Sequence, residues 1–212
     1  MPEKAFFTSR SAKLSSVEDK FDIYLNELIE WNKKFNLTSV TDPEEIRIRH
    51  FEDSLSVLQA IDLKNQKVVD VGAGAGFPGI PLKIVCPGIK LTLIEATRKK
   101  VDFLNHIIKI LKLDNTEAIW GRAEDLGKDS KYYGKYHVAL ARAVAKLPDL
   151  IKYCLPLLRP NGIFIAMKQD EVEEEVNEAK KALEKFYGTI KEIKKVEVGG
   201  VRRSLVIFEK IA

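Results

Sequence analysis

Apolar positions in the first part of the chain recur every three or four residues. Phe21, Leu25, Leu28, Ile29, Trp31 and Phe35 follow Ser15-Ser16-Val17-Glu18, a capping-box spacing that predicts a helix start. Residues before about position 14 are expected to be loose. Asp42-Pro43-Glu44-Glu45 predicts a second helix start, with the cap at Asp42, Pro at the first helical position and an acid in the first turn. That helix, with room for a break, carries Ile46, Phe51, Leu55 and Leu58.

The period then changes. Short apolar runs at Lys67–Val71, Leu91–Glu95, Ala118–Trp120, His137–Ala141 and Ile163–Met167 predict strands. Helical stretches fall between them, from about Gly79 to Val85, Thr97 to Leu111 and Leu147 to Leu158, and a charged helix follows from about Glu171 to Phe186. Strands alternating with helices imply a parallel sheet covered on both faces. The end differs: Ile190 to Val198 and Ser204 to Phe208 are joined by Gly199-Gly200 with no helix between. Only an antiparallel pair closes over so short a link. A mostly parallel α/β sheet with an antiparallel C-terminal hairpin resembles the Rossmann-like class I fold of methyltransferases that use S-adenosylmethionine (SAM). The expected organisation is an N-terminal helical extension over residues 1–62, packed on a SAM-dependent methyltransferase domain over 63–212.

The sharpest local signal is Asp70-Val71-Gly72-Ala73-Gly74-Ala75-Gly76-Phe77-Pro78-Gly79, between the first strand and the next helix. Glycines there allow a tight turn and close approach of a ligand to the backbone. Gly74-x-Gly76-x-x-Gly79 also has dinucleotide-loop spacing. Two features favour SAM over NAD: the additional Gly72, and the acid Asp70 just before it. A carboxylate suits a sulfonium and an ammonium and repels a pyrophosphate. Glu95, ending the second strand, is placed to accept from both ribose hydroxyls, which SAM and NAD share. After the third strand, Arg122-Ala123-Glu124-Asp125 offers a backbone N–H and a carboxylate for an adenine; a helix-capping acid is the other reading of it.

Composition changes the picture little. The chain has 212 residues, 45% hydrophobic and 31% charged, as in an ordinary globular protein. No apolar run approaches a bilayer-spanning length and the first residues show no secretory h-region, so a cytoplasmic protein is expected. Cys86 and Cys154, far apart and without a CxxC partner, read as buried thiols, and no metal site is expected. Net charge is only +4, but bases gather at Arg47 to His50, Arg98 to Lys100, Lys194-Lys195 and Arg202-Arg203. Each cluster is either a solvated face or part of a phosphate-attracting one.

Several segments in order along the chain carry a more specific resemblance. They are Asn36-Leu37-Thr38-Ser39-Val40, Arg49-His50-Phe51-x-Asp53-Ser54, the glycine loop continued as Gly76-Phe77-Pro78-Gly79-Ile80-Pro81-Leu82, and Lys99-Lys100-x-x-Phe103-Leu104. Arg122-Ala123-Glu124, Ala141-Arg142-Ala143, Met167-Lys168 and Arg202-Arg203-Ser204-Leu205-Val206 complete them. Together these resemble the RsmG (GidB) family, which methylates N7 of a guanine in small-subunit (16S) ribosomal RNA. The resemblance implies SAM as cofactor, small-subunit rRNA as partner, free or within an assembling or assembled subunit, and a monomer. It also implies a SAM site lined by Gly72, Gly74, Gly76 and Phe77, with Glu95, Ala96 and Thr97 on the ribose side and Ala123 and Glu124 at adenine. Arg142 would face the reaction centre. The chain departs from the family in having Ala141 where Ser is frequent and Val144 where an aromatic is common.

Guanine N7 bears an in-plane lone pair and no proton, so attack on a methyl group needs alignment rather than a general base. That agrees with a sequence offering no persuasive catalytic dyad. His137 reads as a strand residue, and His50, His106 and His137 lack metal-ligand spacing. Arg142 would position the substrate by contacting guanine O6 or a phosphate; alternatively it binds the SAM carboxylate. Arg49, His50, Lys168, Arg202 and Arg203 are the candidates for RNA phosphate contacts. Other readings stay open here: a methyltransferase for another RNA, a protein or a small molecule; a nicotinamide-dependent oxidoreductase; or a binding protein using its helical N-terminal region.

Overall fold

The structure, a computed structural model, describes residues 13–212, and side chains from Val17 onward. The first helix, α1 (Lys13–Asn32), is already under way at the first described residue, so Ser15 and Ser16 lie inside it rather than capping it. The expected loose segment otherwise falls outside the described residues. The second start is as predicted: Asp42 Oδ1 accepts from Glu45 N at 2.9 Å and Pro43 opens α2 (Pro43–Ile46). The break in that helix is a widened π-helical turn, Arg47–Glu52, followed by α3 (Asp53–Leu55) and a 3-10 turn, Ser56–Gln59.

Among the described residues, seven strands form one sheet in the order β3-β2-β1-β4-β5-β7-β6. They are β1 (Lys67–Val71), β2 (Lys90–Glu95), β3 (Thr116–Trp120), β4 (Tyr136–Arg142), β5 (Leu158–Gln169), β6 (Gly188–Val198) and β7 (Val201–Lys210). The first five pair in parallel, and β7 runs antiparallel to both β5 and β6. The order reverses between β1 and β4, so their carboxyl ends flank the crevice where doubly wound sheets hold ligands. Connecting helices are α4 (Gly79–Val85), α5 (Arg98–Ile110), α6 (Ala123–Leu126), α7 (Leu147–Cys154) and α8 (Glu173–Lys185). The segment Arg159 to Gly162, expected to end a helix, is the start of β5; α7 stops at Cys154, ahead of Pro156.

Strand alternation splits the interior into two layers. Val68, Leu93, Leu140, Ile165 and Leu205 face α1, α4, α5 and the 43–59 helices. Val69, Ile94, Ala139, Phe164 and Val206 face α7 and α8. Phe21, Tyr24, Leu28, Ile46 and Phe51 belong to the same buried cluster as the first set, so the N-terminal helices share a core with the sheet. Among the described residues no helix is long and apolar enough to cross a membrane. Cys154 is buried, as expected of a thiol; Cys86 is only partly so, because it terminates α4 at the domain surface.

Candidate active site

The turn leaving β1 is held open by its glycines. Gly72, Gly74 and Gly76 have φ of 70°, 59° and 101°. A Cβ at Gly76 would lie 2.5 Å from Ile80 Cδ1 and 2.7 Å from Tyr24 Oη, so no side chain fits there. Gly74 is bare: a Cβ would meet nothing nearer than the Gly72 carbonyl at 3.9 Å. Val144, on the loop after β4, rests against Gly72. Tyr24, fully buried in α1, donates to the Ala75 carbonyl at 2.5 Å and so ties the N-terminal helix to the loop.

Two carboxylates shape this turn. Asp70 Oδ2 accepts from Gly79 N at 2.8 Å, closing the loop onto α4. Its Oδ1 is buried without a partner, and burial pushes the acid up to about 7. Asp70 is thus fully covered rather than presented to a ligand, and acts on the site through the loop and through its charge. Glu95 Oε2 accepts from Gly74 N at 3.0 Å and Oε1 from Thr97 N at 2.8 Å. Each Glu95 oxygen keeps a second acceptor position, enough for two ribose hydroxyls. The bare backbone at Gly74 and the spare Glu95 lone pairs fit an adenosyl donor, and the unpartnered Asp70 oxygen behind the turn favours a positive charge on it without contact.

Arg142 ends β4 and is the hub of the neighbouring network. Its Nη1 donates to Asp53 Oδ2 and to the Arg49 carbonyl, both at 2.9 Å, and its Nη2 to His50 Nδ1 at 3.1 Å. The guanidinium carbon stands 5.0 Å from the Phe77 ring centroid, and His50 stacks on the same ring at 4.6 Å. The π-helical turn explains the Arg49 contact. Asp53 N reaches back to Ile48 O, so the Arg49 carbonyl lacks its α-helical partner and accepts from Arg142 instead. Arg203 Nε, from β7, donates to the other Asp53 oxygen at 3.2 Å. Asp53 is 4% exposed, and its carboxylate joins the helical layer to two strands.

His50 is no phosphate-binding cation at neutral pH. Burial and the adjacent Arg142 charge pull it down to about 4. His50 Nδ1 stands 3.1 Å from both Arg142 Nη2 and the Arg49 carbonyl, and its Nε2 stands 2.7 Å from Thr38 Oγ1, so the ring joins the end of β4 to the segment before α2.

A cleft of about 590 Å³ opens beside this hub, lined by Arg49, His50, Arg142, Lys168 and Arg203 together with the acids Asp53, Glu171 and Glu175; Asp53 is the one that bonds Arg142 and Arg203, and Glu175 pairs with Lys168. Four of the five sequence candidates for RNA contact therefore converge. Arg202 does not line it: alternation along β7 puts Arg203 on the Leu205 side, facing the N-terminal helices, and Arg202 on the other. Lys168 is committed inward, 2.8 Å from Glu175 and donating to the Ala145 carbonyl at 3.2 Å, so it braces the loop that carries Val144. Glu175 also accepts from Leu147 N at 3.0 Å, anchoring α7. Ala96 and Thr97 are exposed at the β2 edge, and Ala123 is buried where α6 begins. Glu124 lies 3.8 Å from Arg122 and lines a groove against Tyr153 and Pro156 on the α7 side, away from the Arg142 hub. The sequence reading gave no role to Asp53, Tyr24, Thr38 or Glu175. Thr38 and Asp53 sit inside the family-like segments 36–40 and 49–54, and Asp53 is also an acid set between the core positions Phe51 and Leu55.

Sheet order, glycine turn and the acid ending β2 define a SAM-dependent methyltransferase fold. A solved structure described as a SAM dependent methyltransferase from Aquifex aeolicus superposes with a TM-score of 0.58 at 21% identity, over 82% of this chain and 96% of that one. The sequence goes further. Residues 17–206 match the family model GidB, rRNA small subunit methyltransferase G, and the chain belongs to that family. A ribosomal RNA small subunit methyltransferase G from Thermoanaerobacter pseudethanolicus is 44% identical over 91% of this chain and 82% of its own length. One from Desulforamulus reducens is 46% identical over 90% of this chain and 81% of its own.

Proposed function

We propose that this chain transfers the methyl group of SAM to N7 of a guanine in small-subunit (16S) ribosomal RNA. Family membership supports the reaction and the RNA class. The observation that carries the reading for this chain is the junction at the carboxyl edge of the sheet. There the bare glycine turn after β1 lies against the loop after β4, and Arg142, ending β4, opens onto a cleft where Arg49, Lys168 and Arg203 gather.

When bound, SAM supplies an electrophilic methyl group on a sulfonium. Gly72, Gly74, Gly76 and Phe77 would line its site, with Asp70 setting the loop and the local charge. Glu95 would take the ribose hydroxyls beside Ala96 and Thr97, and Ala123 with Glu124 would flank the adenine. Arg142, held by Asp53 and the Arg49 carbonyl, would donate to guanine O6 or a phosphate and leave N7 free. His50, being neutral, packs Phe77 and orients Arg142 rather than moving a proton. Arg49 and Arg203 would contact phosphates; Lys168 supports the β4–α7 loop, and Arg202 would meet RNA outside the cleft. Alignment of this kind is worth roughly 7–11 kcal/mol of the barrier.

The shared core supports reading residues 1–62 as an extension packed on a methyltransferase domain of 63–212, acting as a cytoplasmic monomer on free RNA or a subunit particle. Mass spectrometry of 16S nucleosides from cells with and without the protein tests the function. Loss of one N7-methylguanosine is expected; an unchanged nucleoside profile would refute it.

A further inference from the structure

Arg142 and Arg203 come from strands β4 and β7, and each gives a hydrogen bond to a different oxygen of one Asp53 carboxylate, at 2.9 and 3.2 Å. Asp53 is the acid in direct contact with both cations, and it lies at the wall of the cleft among the basic residues proposed for phosphate; the other acids lining that cleft, Glu171 and Glu175, contact neither arginine, and Glu175 pairs with Lys168. A carboxylate in an RNA cleft works against binding: it neutralises one of the two arginines and repels any phosphate that enters. It also orients them. With Nε on Asp53, the Arg203 Nη groups are the ones left without an acceptor among the described residues, and the Asp53 bond leaves Arg142 with one Nη2 hydrogen and Nε for a substrate.

We propose that Asp53 is a specificity-determining residue of the RNA site, a built-in anion that holds Arg142 and Arg203 in register and makes loose phosphate binding unfavourable. The inference rests on the RNA reading above. An RNA backbone that merely lands in the cleft gains only the outward-facing donors and meets a negative charge. A correctly folded target gains the same donors together with the aligned base. Discrimination between right and wrong RNA is then a difference of affinities set partly by repulsion, and turnover depends on an arginine that cannot swing away.

A positioning role combined with repulsion makes a prediction that a purely structural role does not. Asp53→Asn keeps the size and one acceptor oxygen and removes the charge. Its affinity for an unrelated RNA duplex should rise at least about threefold at low salt, with a salt slope steeper by about one phosphate contact. Its kcat on small-subunit particles should fall at least about tenfold. S-adenosylhomocysteine affinity should stay within twofold, because the Asp53 carboxylate takes its hydrogen bonds from Arg142 and Arg203 and not from the glycine turn. Asp53→Glu, which keeps the charge, should restore discrimination against the duplex. If Asp53→Asn does not fold, pairing it with Arg203→Gln removes one charge of each sign. Against Arg203→Gln alone that double variant should still lose turnover and still gain duplex affinity. Duplex binding unchanged in Asp53→Asn, or no tighter in the double variant than in Arg203→Gln alone, would overturn the proposal, as would parallel losses of duplex, particle and S-adenosylhomocysteine binding. Wild-type protein that methylates no ribosomal RNA would instead sink the functional reading itself, and the wild-type control reports that separately.

Discussion

Tyr24, in the first helix, donates its hydroxyl to the Ala75 carbonyl in the glycine turn at 2.5 Å, across 51 residues of sequence. The ring is fully buried and tilts against Phe77 at 5.6 Å between centroids. One side chain of the N-terminal layer thus fixes the curvature of the turn proposed to seat the methyl donor. Tyr24→Phe leaves a buried carbonyl without its donor, at a cost of about 1–3 kcal/mol. Chemical denaturation should show that loss, and calorimetry should show weaker SAM binding. Full stability with unaltered SAM affinity would mean that the hydroxyl is idle.

The glycines of the turn should separate folding from binding. At Gly74 there is open space, and its φ of 59° is one that Asp tolerates better than most residues. Gly74→Asp should therefore fold and lose SAM binding by filling the approach. At Gly76 a methyl group meets Tyr24 and Ile80, so Gly76→Ala should lower the thermal midpoint before any question of binding arises. SAM affinity retained by Gly74→Asp would put the donor elsewhere.

Asp70 gives the protein a pH signature. Burial raises its folded value to about 7, above the usual carboxylate range, so the folded state holds an extra proton between roughly pH 4 and 7. This group's contribution to stability falls as pH rises through that window and is level above it. A positively charged donor favours the ionised form, so SAM affinity should rise with pH up to about 7 and then flatten. Asp70→Asn should flatten both profiles, read by denaturant titration and calorimetry from pH 5 to 9. Profiles identical to wild type would show that Asp70 does not titrate there.

His50 titrates in the opposite sense. Its folded value of about 4 is below that of an unfolded imidazole, so the folded state binds fewer protons between about pH 4 and 6.5. Its contribution is full above 6.5 and is lost as pH falls through that window. NMR of the ring should show a neutral imidazole at pH 7. RNA binding should then owe no pH dependence near 6.5 to His50. A titration midpoint near 6.5 would break the Arg142 contact described for it.

Arg202 and Arg203, adjacent in sequence, should differ in effect. Arg203 lines the cleft and bonds Asp53, whereas Arg202 points to the other side of β7. Arg203→Ala should weaken binding to small-subunit RNA more than Arg202→Ala, and the double variant should leave SAM affinity intact. Equal loss of RNA and SAM binding would signal a folding defect instead.

The switch from a three-to-four spacing to short apolar runs, with a hairpin too tightly linked to be parallel, made the layers and the sheet's ending legible. The glycine turn and Glu95 were legible because their chemistry is local. What escaped was non-local. Asp53 gains its meaning from Arg142 and Arg203, 89 and 150 residues away. Lys168 read as a phosphate ligand, but its partner is Glu175, one acid among many in the charged helix after β5. The alternation of β7 could have separated Arg202 from Arg203, yet nothing in the strand says which face carries the site. The widened turn at Arg47–Glu52 has no sequence signature at all, and it is what delivers the Arg49 carbonyl to Arg142.

The most direct measurement gives purified protein isotopically labelled SAM and small-subunit particles lacking N7-methylguanosine, then locates the label by nuclease digestion and mass spectrometry. The account predicts label on N7 of a single guanine in 16S RNA, lost with Gly74→Asp and sharply reduced with Arg142→Ala. Label on another base position, on the ribose or on protein, or N7 transfer undiminished by Arg142→Ala, would contradict it.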